Sequence, residues 1–511
     1  MKLPLTRPSL LPGLSVSILV LTILSARSLA QSTGSGHDPL SNTIVTPHPI
    51  NPAANTTNPA ALAAQQQNPF LGSVPECSMS DKTFQFSLNN AIQCGLRYNL
   101  GLIDSREDSA TERAARMHAL SVLLPQIAAI ARVDFSQYSA IPTGAEKIHF
   151  PIPAVGETIQ FPLTVGPFNY QYTGFTATED VFDEQSRHLA KAAANEQRAS
   201  IATVADSRDI VVLTVGSAYL QVVASKARLQ AVIAERDAIA VFDDFTERRV
   251  LEKVSPEIDG IRSQVARQTA EERVTVAQTG LAKDKLTLAR VVGLHLDQDF
   301  DVSDDLPYEP LPKLEVDIAI QQALEQRSDL QSAAARLRAA EDTEHAQSAQ
   351  RLPVLAMTAD YGAVGTNPGN IQQTYSVGLN LRIPIFTGRR IESDIAASNA
   401  LLRRRRAEYA DLTGHVEYDV RNSLLDLESS DKSVGVAQRN RDLARRGLSD
   451  VNDRFRVGVS TSLDVVQAMQ AVAEADNNYI DSLFGYNITK LYLARATGAA
   501  ATNLTAFLKG K

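Results

Sequence analysis

The chain carries one eight-residue signature twice. Residues 286–293 read LTLARVVG and residues 491–498 read LYLARATG, an offset of 205. The same offset carries Ile258-Asp259 onto Leu463-Asp464. An offset of 228 carries Ala91-Ile92-Gln93 onto Ala319-Ile320-Gln321, and Leu124-Pro125 onto Leu352-Pro353. A repeat this long is one structural unit built twice. Repeat one spans 81–295 and repeat two 314–498; residues 296–313 link them and 499–511 form a tail.

Each unit reads helix, strand, loop, strand, long helix, turn, helix. A single helix is expected from Leu88 to Leu123, ended by Pro125, because proline cannot continue a helix. The strand from Ile127 to Tyr138 then alternates. Ala131, Val133 and Phe135 point one way, and Arg132, Asp134 and Ser136 the other. Its partner sets Phe168, Tyr170 and Tyr172 against Asn169, Gln171 and Thr173. In repeat two, Tyr375, Val377, Leu379, Leu381 and Ile383 alternate with Ser376, Gly378, Asn380 and Arg382. Period two with one apolar face marks a half-buried strand.

A soluble sandwich shows the same alternation. Here, however, there are four such strands in a long chain, flanked by very long helices. Apolar-out, polar-in strands with aromatics fit a transmembrane barrel wall. Four strands cannot close a barrel, since the smallest have about eight, so other subunits must pair the edges. On this reading Arg132, Asp134, Ser136, Asn169, Gln171, Asn380 and Arg382 line the lumen.

No proline occurs from Glu184 to Glu252 or from Arg389 to Arg456. Each stretch predicts a helix of about 100 Å at 1.5 Å per residue. Coiled-coil packing is the natural way to bury the apolar stripe of such a helix. The helix returning to Gly293 and the one expected over Asp317–Leu352 would together match one long helix, end to end. Leu463–Ala496 would stack with the first helix in the same way.

The ends and composition narrow the class. Lys2 and Arg7, the apolar run Leu14–Leu24 and Ser28-Leu29-Ala30 read as a signal peptide over residues 1–30. A retained anchor is the alternative, but the apolar run is short for a membrane span. Residues 31–80 form a linker in which Pro39 to Pro75 contains seven prolines and no Asp, Glu, Lys or Arg, too little apolar surface to offset ordering. A net charge of −8 argues against nucleic acid, whose binding is dominated by phosphate neutralisation. Cys77 and Cys94 are the two cysteines; export permits a disulfide, and the sequence leaves open whether it forms. The histidines form no HExxH or Cys/His cluster, and neither a P-loop nor GxSxG occurs. No enzyme, cofactor or metal site is expected. The run Arg403 to Arg406 points around a whole helix and reads as exposed or subunit-bridging charge.

Taken in order, AIQxxL, a helix, LPxI, a strand, VGLNLRIPIFTGRR, a long helix, FRVGVSTSLDVV and NITKLYLARATG resemble the TolC-like outer-membrane efflux proteins over about residues 81–498. The resemblance implies an α+β membrane protein and a homotrimer. Four transmembrane strands per subunit would close a twelve-stranded barrel in the outer-membrane lipid of a Gram-negative cell. A coiled-coil α-helical barrel would continue it through the periplasm. It implies a passive exit duct for a tripartite efflux or type I secretion system, with a periplasmic adaptor and an inner-membrane RND or ABC transporter as partners.

The resemblance also assigns roles. Val457, Gly458, Val459, Ser460 and Thr461 would form a hairpin tip that meets the adaptor. In repeat one the equivalents are Glu252, Lys253, Val254, Ser255 and Pro256; with Lys253 in place of glycine, a different tip geometry is expected. Asp464 would ring the periplasmic entrance, with Gln467 where the family often has a second acid. Asp464 equally suits a helix N-terminus. The rival readings are an exported coiled-coil structural or adhesin protein and a stand-alone porin. Finally, the change of offset leaves 23 extra residues in repeat one. They are expected in the loop around Ile141 to Pro167, outside the cell.

Overall fold

The computed structural model describes residues 68–77, 83–139, 149–152, 157–160, 164–306, 308–312, 314–367 and 369–500. The expected signal peptide, the neutral tract up to Gln67 and the tail beyond Ala500 lie outside these residues. Repeat one comprises β1 (Thr83–Phe86), α1 (Leu88–Tyr98), α2 (Leu100–Ser121), β2 (Gln126–Ser139), β3 (His149–Ile152), β4 (Glu157–Gln160), β5 (Thr164–Phe182), α3 (Glu184–Leu251) and α4 (Glu257–Val292). Then come β6 (Asp299–Val302), α5 (Val316–Gln326), α6 (Ser328–Ala349), β7 (Val354–Asn367), β8 (Asn370–Arg382), α7 (Arg390–Arg456) and α8 (Ser462–Ala496).

The two proline-free stretches are single helices of 68 and 67 residues. Polar contacts show how α3 is covered. At its start, Asn195 bonds Asp342 of α6, and Thr203 bonds Ser332 of the same helix. Further along, Ser225 bonds Asp284 of α4, and Asp243 accepts from Ser263. Thus α6 and α4 follow one another along α3. On another side α2 meets it through Ser109–Ser200 and α8 through Arg495–Asp206 and Arg228–Asp481. The most apolar part of α3 lies where these pairs meet. There Val211, Val212, Val215, Tyr219 and Leu220 are buried, each aliphatic side chain stabilising by about 1.5–3 kcal/mol.

Neither opening helix is continuous. The first breaks at Asn99 and the second at Arg327, positions one 228-residue offset apart. Both residues are extended rather than helical and both are buried. No proline marks either break, so helix propensity gave no warning. Tertiary hydrogen bonds replace the lost helical ones. The Asn99 carboxamide accepts from the Gly101 N–H at 3.0 Å and donates to the Phe70 carbonyl at 2.8 Å. Arg327 donates to Asp329 at 2.6 Å and Asp419 at 2.7 Å.

Residues 68–77 form a strap across the first break. The Val74 N–H donates to Tyr98 O and the Leu100 N–H to Gly72 O. A Cys77–Cys94 disulfide ties the strap to α1. Gly293, the last residue of the first LARxxG, caps α4 with φ +80°. A Cβ there would approach Val74 O to 2.4 Å, so both the left-handed turn and the strap require glycine. Gly498, its repeat-two counterpart, has φ +75° and lies against Gln326 and Arg327. Each signature therefore closes onto the helix break of its own repeat. Beside this joint β1 pairs in parallel with β6, and Phe86, Phe300 and Val302 join the central apolar core.

Residues 140–163 separate β2 from β5, whereas residues 368 and 369 alone separate β7 from β8. Repeat one's added length falls in that connection, which contains the antiparallel β3–β4 hairpin.

Candidate functional site

Strands β2, β5, β7 and β8 form one antiparallel sheet in the order β2-β5-β7-β8, leaving β2 and β8 as edges. Residues directly opposite in antiparallel strands share a face. Val133 pairs with Gln171, Phe175 with Tyr361, and Tyr361 with Tyr375. Ala359 pairs with Val377, Met357 with Leu379 and Leu355 with Leu381. One face therefore carries Ile127, Val133, Phe135, Phe175, Tyr361, Tyr375, Val377, Leu379 and Leu381. All are exposed, Phe135 and Tyr375 to 80% and 81%. Apolar side chains this bare, in a continuous band, mark a surface that water does not cover in the working protein.

The opposite face is polar. Arg132, Asp134, Ser136, Asn380 and Arg382 share it with Thr358, Asp360 and Ser376. Arg132 and Asp134 pair at 2.6 Å, and Ser376 donates to Asp360 at 3.1 Å. Asn169 and Gln171 do not belong here. They stand opposite Phe135 and Val133, on the apolar face. The expected set of seven is thus divided five and two. Alternation within β5 gave two ways to orient it, and the register against β2 selects the one that turns Tyr170 and Tyr172 toward Asp134 and Arg132. Phe168, which faces Ser136, turns with them, so three aromatic residues lie on the face opposite to the one expected. Only the pairing of Asp134 with Tyr170 across strands, which no single strand reveals, could have found them.

At the far ends of the long helices the two tips are alike, contrary to the expected difference. Val254 and Ser255 N–H groups both donate to Arg249 O, and Val459 and Ser460 N–H groups both donate to Arg454 O. Lys253 adopts φ +60° where Gly458 adopts φ +80°. Lysine has been forced into the left-handed region because this reversal demands it, at about 1 kcal/mol. Val254, Val457 and Val459 are exposed at 62%, 75% and 66%, so the tips end in apolar knobs with Ser255 and Ser460 beside them.

Asp464 closes a capping box. Its carboxylate accepts from the Thr461 N–H at 2.8 Å and hydroxyl at 2.9 Å, while the Thr461 hydroxyl accepts from the Asp464 N–H at 3.3 Å. The two hydrogen bonds from Thr461, with Arg454 nearby, hold its carboxyl below the usual carboxylate range. Gln467 is exposed on the same helix, three residues on. Asp259, the counterpart of Asp464, instead accepts from Ser462 at 2.5 Å and joins the two tips. The arginine run is bound locally: Arg404 and Arg405 to Glu408, and Arg406 to Glu341. No His/Cys/Asp/Glu cluster suited to a metal ion occurs among the described residues.

Comparison with known proteins gives a consistent answer. Residues 319–499, nearly all of repeat two, match the family model described as outer membrane efflux protein. The chain is 21% identical over 342 residues to the outer membrane protein TolC of Vibrio cholerae, covering 64% of this chain and 76% of that one. It is 24% identical over 245 residues to the outer membrane efflux protein BepC of Brucella suis, spanning about half the length of each. Its fold is similar to that of the CmeC outer membrane channel of Campylobacter jejuni, with a TM-score of 0.69, 15% identity and coverage of 87% of this chain and 95% of that one.

Proposed function

We propose, from the premise that this chain is a TolC-like outer membrane factor residing in the outer membrane with a periplasmic helical extension, that three copies form a passive exit duct. The observation that carries this reading is the four-stranded sheet: one bare apolar face, one polar face, two unpaired edges. Edge pairing of three such sheets yields twelve strands, with the apolar faces toward lipid and Arg132, Asp134, Ser136, Asn380 and Arg382 toward the lumen. Each strand has at least 13 residues, enough for a tilted span that needs about 9–11.

The helices continue the wall for about 100 Å. The apolar tips, including Val254, Ser255, Val457, Gly458, Val459 and Ser460, would meet a periplasmic adaptor, which couples the duct to an RND or ABC transporter. Asp464 and Gln467 would lie at the periplasmic mouth, where three carboxylates favour cations. The duct performs no chemistry; the pump supplies the energy.

Planar-bilayer conductance of the purified protein tests this reading. The expected result is a heat-modifiable trimer in the outer-membrane fraction with a low, cation-preferring conductance that rises when the tips are loosened. Absence from that fraction would favour a coiled-coil structural protein, and a large steady conductance of the isolated trimer a porin.

A further inference from the structure

The register that turns Asn169 and Gln171 to the apolar face brings four aromatic rings to the polar one. Phe168, Tyr170 and Tyr172 stand directly opposite Ser136, Asp134 and Arg132. Tyr138 joins them near the end of β2 farthest from the helices, its ring centroid 5.6 Å from that of Phe168. Tyr138 and Tyr170 are 61% and 40% exposed. Tyr172 is pressed against the sheet: its hydroxyl lies 2.8 Å from where a Cβ of Gly174 would be, and its Cε2 3.0 Å from a Cβ of Gly362. Two glycines on the same face thus make room for one ring.

A water-filled wall has no need of aromatic faces, and exposing them costs apolar hydration. Their π faces attract cations and stack on other planar systems. Beside the rings stand one acid and one base, Asp134 and Arg132, while the polar face as a whole is slightly acidic. On this face of the described strands three acids, Asp134, Asp180 and Asp360, stand against two bases, Arg132 and Arg382. Asp134 lies directly across from Tyr170 and is paired with Arg132 at 2.6 Å, so a planar cation that covers the ring would take the place of Arg132 at the carboxylate.

We propose that Tyr138, Phe168, Tyr170 and Tyr172, with Asp134, form a binding shelf for planar aromatic cations in the outer half of the duct. The inference rests on the duct reading and deepens it by naming a substrate class. Three copies would set three shelves around one lumen. Several weak, adjacent sites suit a passage, because each must release what it holds.

The test uses the full-length trimer in lipid vesicles. Cys77 and Cys94 are the only cysteines and are bonded to each other, so an introduced cysteine is the sole free thiol. Tyr170→Cys should react with a charged, water-soluble maleimide, and Asn169→Cys should not; the reverse pattern overturns the face assignment. Ethidium is the ligand probe, with empty vesicles subtracted. Wild type should bind it saturably, Tyr170→Leu should weaken binding roughly tenfold, and Tyr170→Phe should retain it. Because Tyr170 is exposed, the leucine variant should still trimerise; Asp134→Asn, expected to weaken ethidium but not a neutral planar dye, gives a second reading. Equal ethidium affinity in wild type and Tyr170→Leu, or no saturable binding, overturns the shelf. A conducting trimer that ignores ethidium ends this inference alone, whereas a protein that never trimerises or conducts ends the duct reading as well.

Discussion

The Arg249 guanidinium lies 5.1 Å from the centre of the Phe455 ring and donates to the Phe455 carbonyl at 3.3 Å. It also bonds Ser255 Oγ at 3.1 Å and lies 5.8 Å from the centre of the Phe245 ring. One side chain thus caps its own turn and holds the neighbouring hairpin. Removing it as Arg249→Ala should destabilise the joined tips by about 1–2 kcal/mol. Hydrogen exchange of residues 250–256 and 455–461 should accelerate roughly tenfold. If the mouth opens by separation of the hairpins, bilayer conductance should rise in the same variant. Unchanged exchange at the second tip would show that Arg249 does not bind the two together.

Lys253 offers the opposite experiment. Its backbone occupies the conformation that Gly458 occupies freely. Lys253→Gly should therefore stabilise the first tip by about 1 kcal/mol, and Gly458→Ala should destabilise the second by a similar amount. No heavy atom lies within 4 Å of a Cβ placed at Gly458, so that cost is purely conformational. Local exchange rates at the two turns provide the measurement.

For Asp464 the pH dependence has a definite sign. Its carboxyl is held below the ordinary range, chiefly by the Thr461 hydrogen bonds. Its contribution is fully present above the unfolded-state value of about 3.9 and is lost as pH falls through the lower folded value. Protection of the first turn of α8 should stay flat from neutral pH to about 5 and collapse only below about 4. Asp464→Ala should weaken that turn at neutral pH and reduce cation preference in bilayers. An unchanged cation preference would remove Asp464 from the entrance and leave it as a helix cap alone.

Lys490 is fully buried, donates to the Glu309 carbonyl at 2.5 Å and lies 4.7 Å from the centre of the Tyr486 ring. Burial pushes its ammonium down to about 8. The unfolded chain binds that proton more tightly, so stability should rise between about pH 8 and 10, by roughly 2–3 kcal/mol. Lys490→Met should abolish the rise. Urea unfolding followed by far-UV circular dichroism at several pH values checks both.

The disulfide should matter for the strap more than for the staves. Replacing Cys77 and Cys94 together with alanine removes a closed loop of under twenty residues, worth up to about 3 kcal/mol. Proteolysis around residues 68–77 should quicken while the long helices resist as before.

Much of the fold was legible in the sequence because its signals are local. The proline-free stretches gave α3 and α7 to within a residue or two at each end, and alternation exposed β2 and β8. What stayed hidden depends on partners distant along the chain. Asn99 and Arg327 break their helices where Phe70 and Asp419 reach them from 29 and 92 residues away. Tyr170 and Asn169 exchanged faces because orientation is a property of strand pairs. Lys253 looked like a departure from glycine, yet the turn's carbonyl geometry overrode residue preference. Arg249 gave no signal beyond its 205-residue correspondence to Arg454.

The unequal connections have a consequence for symmetry. If three copies assemble as proposed, the two repeats of each, alike in their long helices and tips, would approximate sixfold order below the membrane. Beyond the bilayer that equivalence would fail, because the connections between paired strands differ in length. Three raised β3–β4 hairpins would alternate with three low turns, so an antibody or a bacteriophage arriving from outside meets a threefold object. The two ends of one such trimer would thus obey different rules of recognition.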